Sequence, residues 1–189
     1  MSTRAYVDPA AASLDPWMRV STIGHGTRTA DELIETLREA RVETLVDVRR
    51  FPGSRRNPQF GQAALAVELE SASIAYVHVP ALGGRRSGVP GEDRFGCLRV
   101  PAFRSYAAWM SSSEWQQALT DALGRQSPCF MCSETLPWRC HRRLIADLLA
   151  AREVEVVHLL GPGASIEQRP FAEAEVRDGR LYLCGALVA

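Results

Sequence analysis

Short apolar runs alternate with stretches of helical periodicity along most of this chain, and this alternation constrains the fold more than any other feature. Parallel strands need a helix-length crossover, so alternating strands and helices predict a mostly parallel sheet with helices on both faces. We therefore predict a three-layer α/β fold. The predicted strands lie at 19–23, 44–48, 74–79, 129–132, 154–159 and 181–183, and the predicted helices at 30–41, 61–72, 103–110, 114–123 and from 137 onward.

The composition fits one domain and excludes several functions. With 189 residues, 46% of them hydrophobic, the chain can bury one ordinary core. We predict a flexible leader at residues 1–18 and a single domain at 19–189. The formal net charge is zero, so no long-range field favours nucleic acid or an acidic membrane. Every basic residue is arginine, which excludes a Schiff base and a lysine-containing phosphate loop.

The cysteines and the absence of a long apolar run predict where the protein works. The sequence contains no stretch of about 18 apolar residues and no basic, apolar start typical of a secretory signal. We predict a cytoplasmic protein without a membrane partner. An odd set of cysteines fits reduced thiols or a site better than a disulfide framework. They are Cys97, Cys129, Cys132, Cys140 and Cys184.

The run PCFMCSETLPWRCHRR, residues 128–143, places reactive side chains where a predicted strand leads into a helix. Ligands of α/β proteins bind at the carboxyl ends of strands and the amino ends of the following helices. Because a helix amino terminus and nearby arginines stabilise a thiolate, Cys132 and Cys140 are candidate nucleophiles. Glu134 and His141 are candidates for proton transfer beside them. These four residues are the predicted catalytic group.

Two other interpretations of this run stay open. The cysteines are also of a type that often simply packs in a core. Alternatively, Cys129, Cys132, Cys140 and His141 could ligate zinc. The spacing argues against zinc, because Cys129 and Cys132 on a strand point to opposite faces and adjacent side chains on a helix diverge by about 100°. We therefore predict no metal site and no cofactor.

A second group of candidates follows the first two predicted strands. His25 lies between two glycines after the first strand, and Arg49 follows the second. Arginine forks suit phosphate, a nucleotide or a nucleic-acid backbone, although an exposed loop or a structural Asp-Arg pair would give the same pattern. Since parallel strands end at one edge of a sheet, we expect His25, Arg49 and Cys132 to meet within about 10 Å. Two glycines further along could expose backbone N–H groups to an anion. The predicted ligand-binding residues are His25, Asp47, Arg49, Arg55, Arg56, Gly83, Gly84 and Arg142.

Four segments carry a resemblance to a known family. In order, they are TIGHGTRTADELIETL, VETLVDVRRFPGSRRNPQF, IAYVHVPALGGRR and CSETLPWRCHRRLIADLL. They resemble the DUF488 family, a domain of unknown function that includes YeaO-like proteins, over about residues 20 to 150. Gly26 and Thr27 stand where a Ser-Asn pair is common in the family. The resemblance implies that all the predicted catalytic residues occupy motif positions. It implies the same for the predicted ligand-binding residues except Arg56, and also for Ser54, Pro58 and Phe60.

The second half of the chain is also similar to the active-site half of rhodanese-like domains, and TLVDVRRFP is similar to their earlier Asp-Val-Arg strand. This similarity implies a Rossmann-like or rhodanese-like arrangement with Cys132 as a thiolate nucleophile or persulfide carrier. Glu134 and Pro137 depart from the compact anion cradle of those domains. A carboxylate beside the thiol would raise the pKa of Cys132.

These residues favour an enzyme that acts on a phosphorylated small molecule, a nucleotide or a nucleic-acid end. Cys132 or Cys140 would react with the help of Glu134 and His141, while arginines hold the anionic part of the ligand. A rhodanese-like sulfurtransferase that uses Cys132 is the alternative enzyme. In a third hypothesis, the protein is a non-catalytic module that binds a nucleotide or nucleic acid, and the cysteines only pack. The sequence indicates no oligomeric state.

Overall fold

The computed structural model describes residues 18–53 and 56–189. The predicted leader at 1–18, apart from Met18, lies outside the described residues. So do Ser54 and the predicted ligand-binding residue Arg55.

The main sheet in the described part of the chain has six strands. Their bounds are Arg19–Gly24 (β1), Thr44–Asp47 (β2), Ala75–His78 (β3), Pro128–Cys132 (β4), Glu155–Gly161 (β5) and Ala164–Glu167 (β6). They lie in the order β3-β2-β4-β1-β5-β6, and only the β5–β6 pair is antiparallel. The predicted mostly parallel sheet is therefore confirmed.

Five helices flank the strands in the described residues. Their bounds are Ala30–Glu39 (α1), Gln62–Ser71 (α2), Pro101–Met110 (α3), Ser113–Leu123 (α4) and Arg142–Ala151 (α5). α1 begins with a capping box, in which the Thr29 side chain accepts from Glu32 N and the Glu32 side chain accepts from Thr29 N. Within the described ranges, no helix has the length and hydropathy needed to cross a bilayer.

The two faces of the sheet bury separate apolar clusters, which confirms the three-layer α/β arrangement. Leu33 and Leu37 of α1 pack with Leu65 of α2 against one face. Leu144 and Leu148 of α5 pack in the other cluster, together with side chains of α3 and α4. Burial on both faces explains why every residue of β2 and β4 is buried, without the alternation typical of a half-exposed strand.

Three strands end side by side at the carboxyl edge of the sheet. β4 lies between β1 and β2, so Gly24 at the end of β1 is level with Cys132 at the end of β4. Asp47 at the end of β2 is level with Met131. The backbone N–H of His25 donates to the Cys132 carbonyl at 3.0 Å, which ties the two loops together. This edge positions the candidate site.

The segments around α5 and the carboxyl terminus differ from the prediction. Pro137 begins a short 3₁₀ turn, Pro137–Arg139, and α5 begins only at Arg142. After β5 the chain adds β6, which the sequence pattern did not indicate. The predicted terminal strand belongs to a separate three-stranded antiparallel sheet of Ala174–Arg177 (β7), Arg180–Leu183 (β8) and Ala186–Leu187 (β9).

Cys97 and Cys184 form a disulfide, so the prediction that all five cysteines are reduced thiols or site residues is wrong for this pair. Their Cα atoms lie 5.6 Å apart although 87 positions separate them in sequence. Only the folded chain brings the loop that contains Cys97 against the small terminal sheet, and a pairing of this kind cannot be read from cysteine spacing. Cys129, Cys132 and Cys140 are free thiols.

A chain of hydrogen bonds crosses the protein interior between α5 and the main sheet. Arg142 Nη1 donates to Thr22 Oγ1 at 3.0 Å, and the Thr22 hydroxyl donates to His158 Nδ1 at 2.7 Å. His158 Nε2 donates to Gln168 Oε1 at 2.5 Å, and the Gln168 amide donates to Asp147 Oδ1. Burial raises the pKa of the Asp147 carboxyl to about 7 and lowers the pKa of His158. The neutral imidazole can therefore both accept and donate in this chain.

The raised pKa of Asp147 predicts a pH-dependent stability. The native carboxyl keeps its proton up to about pH 7, whereas the unfolded one releases it near 3.8, so this contribution is full at acid pH and is lost as the pH rises. We expect the free energy of unfolding of the wild type to fall by roughly 2–4 kcal/mol relative to Asp147→Asn between about pH 4 and pH 8. Urea unfolding of both proteins across this pH range measures the difference between their free energies of unfolding. The contributions of the other titrating groups are the same in both proteins and cancel in this difference. Parallel pH profiles of the two proteins would contradict the expectation.

Candidate functional site

A cavity of about 560 Å³ opens at the carboxyl edge, between the loops that follow β1, β2 and β4. It brings together residues that lie far apart in sequence. The expected meeting of His25, Arg49 and Cys132 is met, since His25 Nε2 lies 3.3 Å from Arg49 Nη1 and all three residues line the same cavity. The predicted residues that line it are His25, Arg49, Gly84, Cys132, Glu134, Cys140 and His141.

Cys132 is the last residue of β4, and its side chain faces the cavity. The thiol is only 8% exposed. Cys129, three positions earlier, points to the opposite face of the sheet, as predicted, and packs in the α1–α2 cluster. Burial raises the pKa of Cys129 far above its ordinary range, so this thiol is inert packing. The two strand cysteines therefore have different environments.

Cys132, Cys140 and His141 form a compact group, which we call the dithiol–histidine group. His141 Nδ1 lies 4.0 Å from Cys132 Sγ and 3.6 Å from Cys140 Sγ. A hydrogen bond from the Cys140 thiol lowers the pKa of Cys132 well below its ordinary value, and His141 and Arg142 lower it further against the opposing effect of burial. Burial and the neighbouring Cys132 thiolate raise the pKa of Cys140. Cys132 is therefore the more acidic of the two thiols.

The position of His141 depends on two neighbours of different kinds. Tyr106 packs edge-on against the imidazole, with ring centroids 4.9 Å apart. Gly84 lies so close that a Cβ at that position would be 2.6 Å from His141 Nδ1. Gly84 therefore leaves room for the ring, which is a different role from the predicted backbone cradle for an anion. Tyr106 was not a predicted site residue, because a tyrosine inside an apolar helix gives no sign of what its ring will touch.

The side chains of Cys140 and His141 do not diverge as predicted for a helix, which bears on metal binding at this site. The expected divergence of Cys140 and His141 requires both residues to lie on a helix, but Cys140 has extended backbone angles and α5 begins after His141. Their side chains therefore converge. One ligand atom from each of Cys132, Cys140 and His141 lies within 4.8 Å of the other two, so these residues could hold a thiophilic metal ion.

Glu134 and Arg142 have mainly structural contacts. Glu134 lines the cavity, and its Oε1 accepts from Leu136 N at 3.2 Å. Its carbonyl oxygen accepts from Arg142 Nη2 at 2.5 Å. Arg142 is 1% exposed, does not line the cavity and holds the loop after β4 onto β1 through Thr22. The predicted rise in the pKa of Cys132 beside Glu134 is wrong, since Cys140, His141 and Arg142 lower it.

Asp47 holds Arg49 from below the cavity. The Asp47 carboxylate accepts from Arg49 Nε at 2.8 Å and from Tyr76 Oη at 2.7 Å, and it is fully buried. Arg49 Nη1 in turn points to His25 Nε2. Because His25 Nδ1 donates to the Gly26 carbonyl at 2.9 Å, Nε2 is the accepting nitrogen of a neutral ring, and burial lowers the pKa of His25 accordingly.

Two further predicted ligand-binding residues that the structure describes, Gly83 and Arg56, do not line the cavity. Gly83 is buried and packs its backbone against Arg50, and Arg56 is exposed on the loop after β2. Instead, three exposed arginines supply positive charge at the cavity wall: Arg50, Arg85 and Arg139. Arg85 and Arg139 are arginines for which the sequence already indicated anion binding, whereas Arg50 was not predicted, although it is adjacent to the predicted Arg49.

The fold and the cavity define a class of protein, an α/β domain whose parallel strands deliver two free cysteines and two histidines to one edge of the sheet. The chain belongs to the family described as domain of unknown function DUF488, whose model matches residues 29–149. The matched region contains the dithiol–histidine group and Arg49, and it begins four residues after His25. A search of curated proteins and a search of solved structures each returned no match.

Proposed function

We propose that this protein is an enzyme in which the Cys132 thiolate attacks an anionic small molecule bound in the cavity. One observation carries the proposal: Cys132 is a strand-end thiol at the cavity wall, and Cys140, His141 and Arg142 lower its pKa. Since the thiolate is the nucleophilic form of cysteine, these contacts prepare Cys132 to react near neutral pH. At Cys129 only Arg142 opposes the effect of burial, and burial raises the pKa of that thiol.

The surrounding groups support proton transfer and anion binding. His141 Nδ1 is near both sulfurs and can carry a proton between thiol and leaving group. Glu134 lines the same cavity as a further proton acceptor. The exposed guanidinium groups of Arg50, Arg85 and Arg139 suit a phosphate or carboxylate on the ligand. The volume of about 560 Å³ suits a small molecule or nucleotide.

Alkylation of the full chain with iodoacetamide tests this function. The rate of modification of Cys132 should rise with pH and reach half its maximum below about pH 8.5, which is the ordinary pKa of a free thiol. We expect this because the contacts of Cys132 stabilise its thiolate. Peptide mass analysis identifies the modified cysteine across the pH series. Cys132→Ser removes this modification, whereas the matched variant Cys129→Ala keeps it. If Cys132 reacts only at alkaline pH, like an ordinary thiol, the proposal fails.

The same protein preparations separate the two alternatives. The strand-end position of Cys132 also favours the rhodanese-like alternative, in which a sulfur donor would leave a stable persulfide on Cys132. A nucleotide-binding module would keep its affinity for nucleotide or phosphate in Cys132→Ser and show no low-pH alkylation. Protection of Cys132 from iodoacetamide by phosphate or a nucleotide would identify the group that the arginines hold.

A further inference from the structure

Two thiols with opposite protonation preferences share the cavity. The sulfurs of Cys132 and Cys140 lie within 4.8 Å of each other. Both residues line the cavity, although Cys140 is only 3% exposed. A nucleophile alone does not need a second thiol at this distance. A thiol beside a nucleophilic cysteine is the arrangement that resolves a mixed disulfide.

We propose that the site performs a two-thiol redox cycle that reduces a small anionic disulfide, with Cys132 as the attacking thiol and Cys140 as the resolving thiol. This inference rests on the proposed function, since it requires Cys132 to be the nucleophile. It adds the substrate class and the role of Cys140.

The cycle balances as two exchange steps. In the first, the Cys132 thiolate attacks one sulfur of the substrate disulfide, so that a mixed disulfide forms on Cys132 and one substrate thiolate leaves. In the second, Cys140 loses its proton to His141 Nδ1, 3.6 Å away, and attacks the Cys132 sulfur. The second substrate thiolate then leaves and takes the proton. The substrate gains two electrons, the protein gains a Cys132–Cys140 disulfide, and an external dithiol reverses that bond by the same exchange.

The path of the chain between the two cysteines allows the bond to close. Seven residues separate them, and they contain only the 3₁₀ turn Pro137–Arg139. The sulfurs, which lie within 4.8 Å of each other, must approach to about 2 Å, and this is a small movement for a segment of this kind. Cys129 cannot take part, because it lies on the other face of the sheet.

The cavity favours a carboxylate-bearing substrate over a peroxide. A peroxide is far smaller than about 560 Å³ and has no charge for arginines to bind. Arg50, Arg85 and Arg139 place three cations on the cavity wall within reach of a ligand that spans it. A disulfide with a carboxylate on each half uses both the volume and the charge.

The probe is 5,5′-dithiobis(2-nitrobenzoate), an aromatic disulfide with two carboxylates, applied to the reduced active site of the full chain at neutral pH. We expect the wild type to release two thionitrobenzoate ions and to keep no adduct, with a mass lower by two hydrogens. Cys140→Ser keeps a hydroxyl that can donate to the thiolate, so it should release one ion and retain the other half on Cys132. Cys132→Ser should lose the rapid release. Cys129→Ala is the matched control and should behave as the wild type does.

The outcomes distinguish the two proposals. Release of one ion by both the wild type and Cys140→Ser, with a stable adduct on Cys132, overturns the redox cycle and leaves the nucleophile intact. An absence of rapid release from the wild type overturns both proposals. Equal rates for this probe and for its uncharged diamide analogue would overturn the assignment of an anionic substrate. Stoichiometric zinc retained in the purified protein and lost in Cys140→Ser would overturn the cycle in favour of a metal site.

Discussion

We expect Asp47→Ala to lower the free energy of unfolding by about 3–5 kcal/mol, because it leaves the buried guanidinium of Arg49 without a counterion. Asp47 is fully buried and Arg49 is 6% exposed. The carboxylate accepts from Arg49 Nε at 2.8 Å, from Arg49 Nη2 at 2.5 Å, from Arg49 N at 3.0 Å and from Tyr76 Oη at 2.7 Å, so one substitution removes the neutralising charge and the acceptor of four donors. Chemical denaturation of the wild type and the variant measures the loss.

An exposed ion pair provides the control. Arg19 and Glu155 are 3.3 Å apart, with both side chains 61% exposed. Glu155→Ala should therefore cost less than about 1 kcal/mol. The double variant Asp47→Ala/Arg49→Met removes the orphaned charge and should recover part of the loss. A loss of unfolding free energy for Asp47→Ala as small as that for Glu155→Ala would show that water hydrates the Arg49 guanidinium in the variant. The inference that Arg49 holds His25 rigidly would then be wrong.

Gly24→Ala should destabilise the protein by about 2–4 kcal/mol and slow the alkylation of Cys132. A Cβ on Gly24 would lie 1.9 Å from the Glu134 carbonyl oxygen and 2.8 Å from Thr135 Cα. Both atoms belong to backbone, so the loop after Cys132 must move away from the end of β1. That movement should also break the hydrogen bond from His25 N to the Cys132 carbonyl, which is 3.0 Å long in the wild type.

Gly161→Ala is the matched control for this substitution. A Cβ on Gly161, near the end of β5, would meet no atom within 4 Å. We expect nearly unchanged stability and unchanged alkylation of Cys132. Thermal unfolding and the rate of iodoacetamide modification give the two readouts. Normal alkylation in a stable Gly24→Ala protein would show that the contact between these loops does not position Cys132.

The disulfide between Cys97 and Cys184 affects how these experiments are done. It joins the loop before α3 to the chain just after β8, far from the dithiol–histidine group in sequence. A reductant strong enough to open it would change the reference state for every unfolding measurement. Titrations of Cys132 and Cys140 should therefore follow mild reduction, with the state of Cys97 and Cys184 checked by mass.

The alternation of apolar strands and amphipathic helices determined the α/β architecture. An apolar strand must be covered on both faces, and an amphipathic helix covers such a face with its apolar side. The same pattern placed Cys132 and His25 at strand ends, and parallel strands must deliver their carboxyl ends to one edge. The sequence alone was therefore enough to predict that these residues share a site. It was also enough for the Thr29–Glu32 capping box, because that motif depends only on residues three positions apart.

Tertiary structure decided the contacts that give each site residue its role. Whether Cys140 and His141 converge depends on where α5 begins, and a shift of a few residues reverses the geometry. Arg142 and Arg139 look alike in sequence, but the first is 1% exposed and holds the loop after β4, whereas the second lines the cavity. The pairing of Cys97 with Cys184 required the whole fold. Periodicity fixes which face of an element is buried, whereas the partner of a buried polar group depends on the packing of elements distant in sequence.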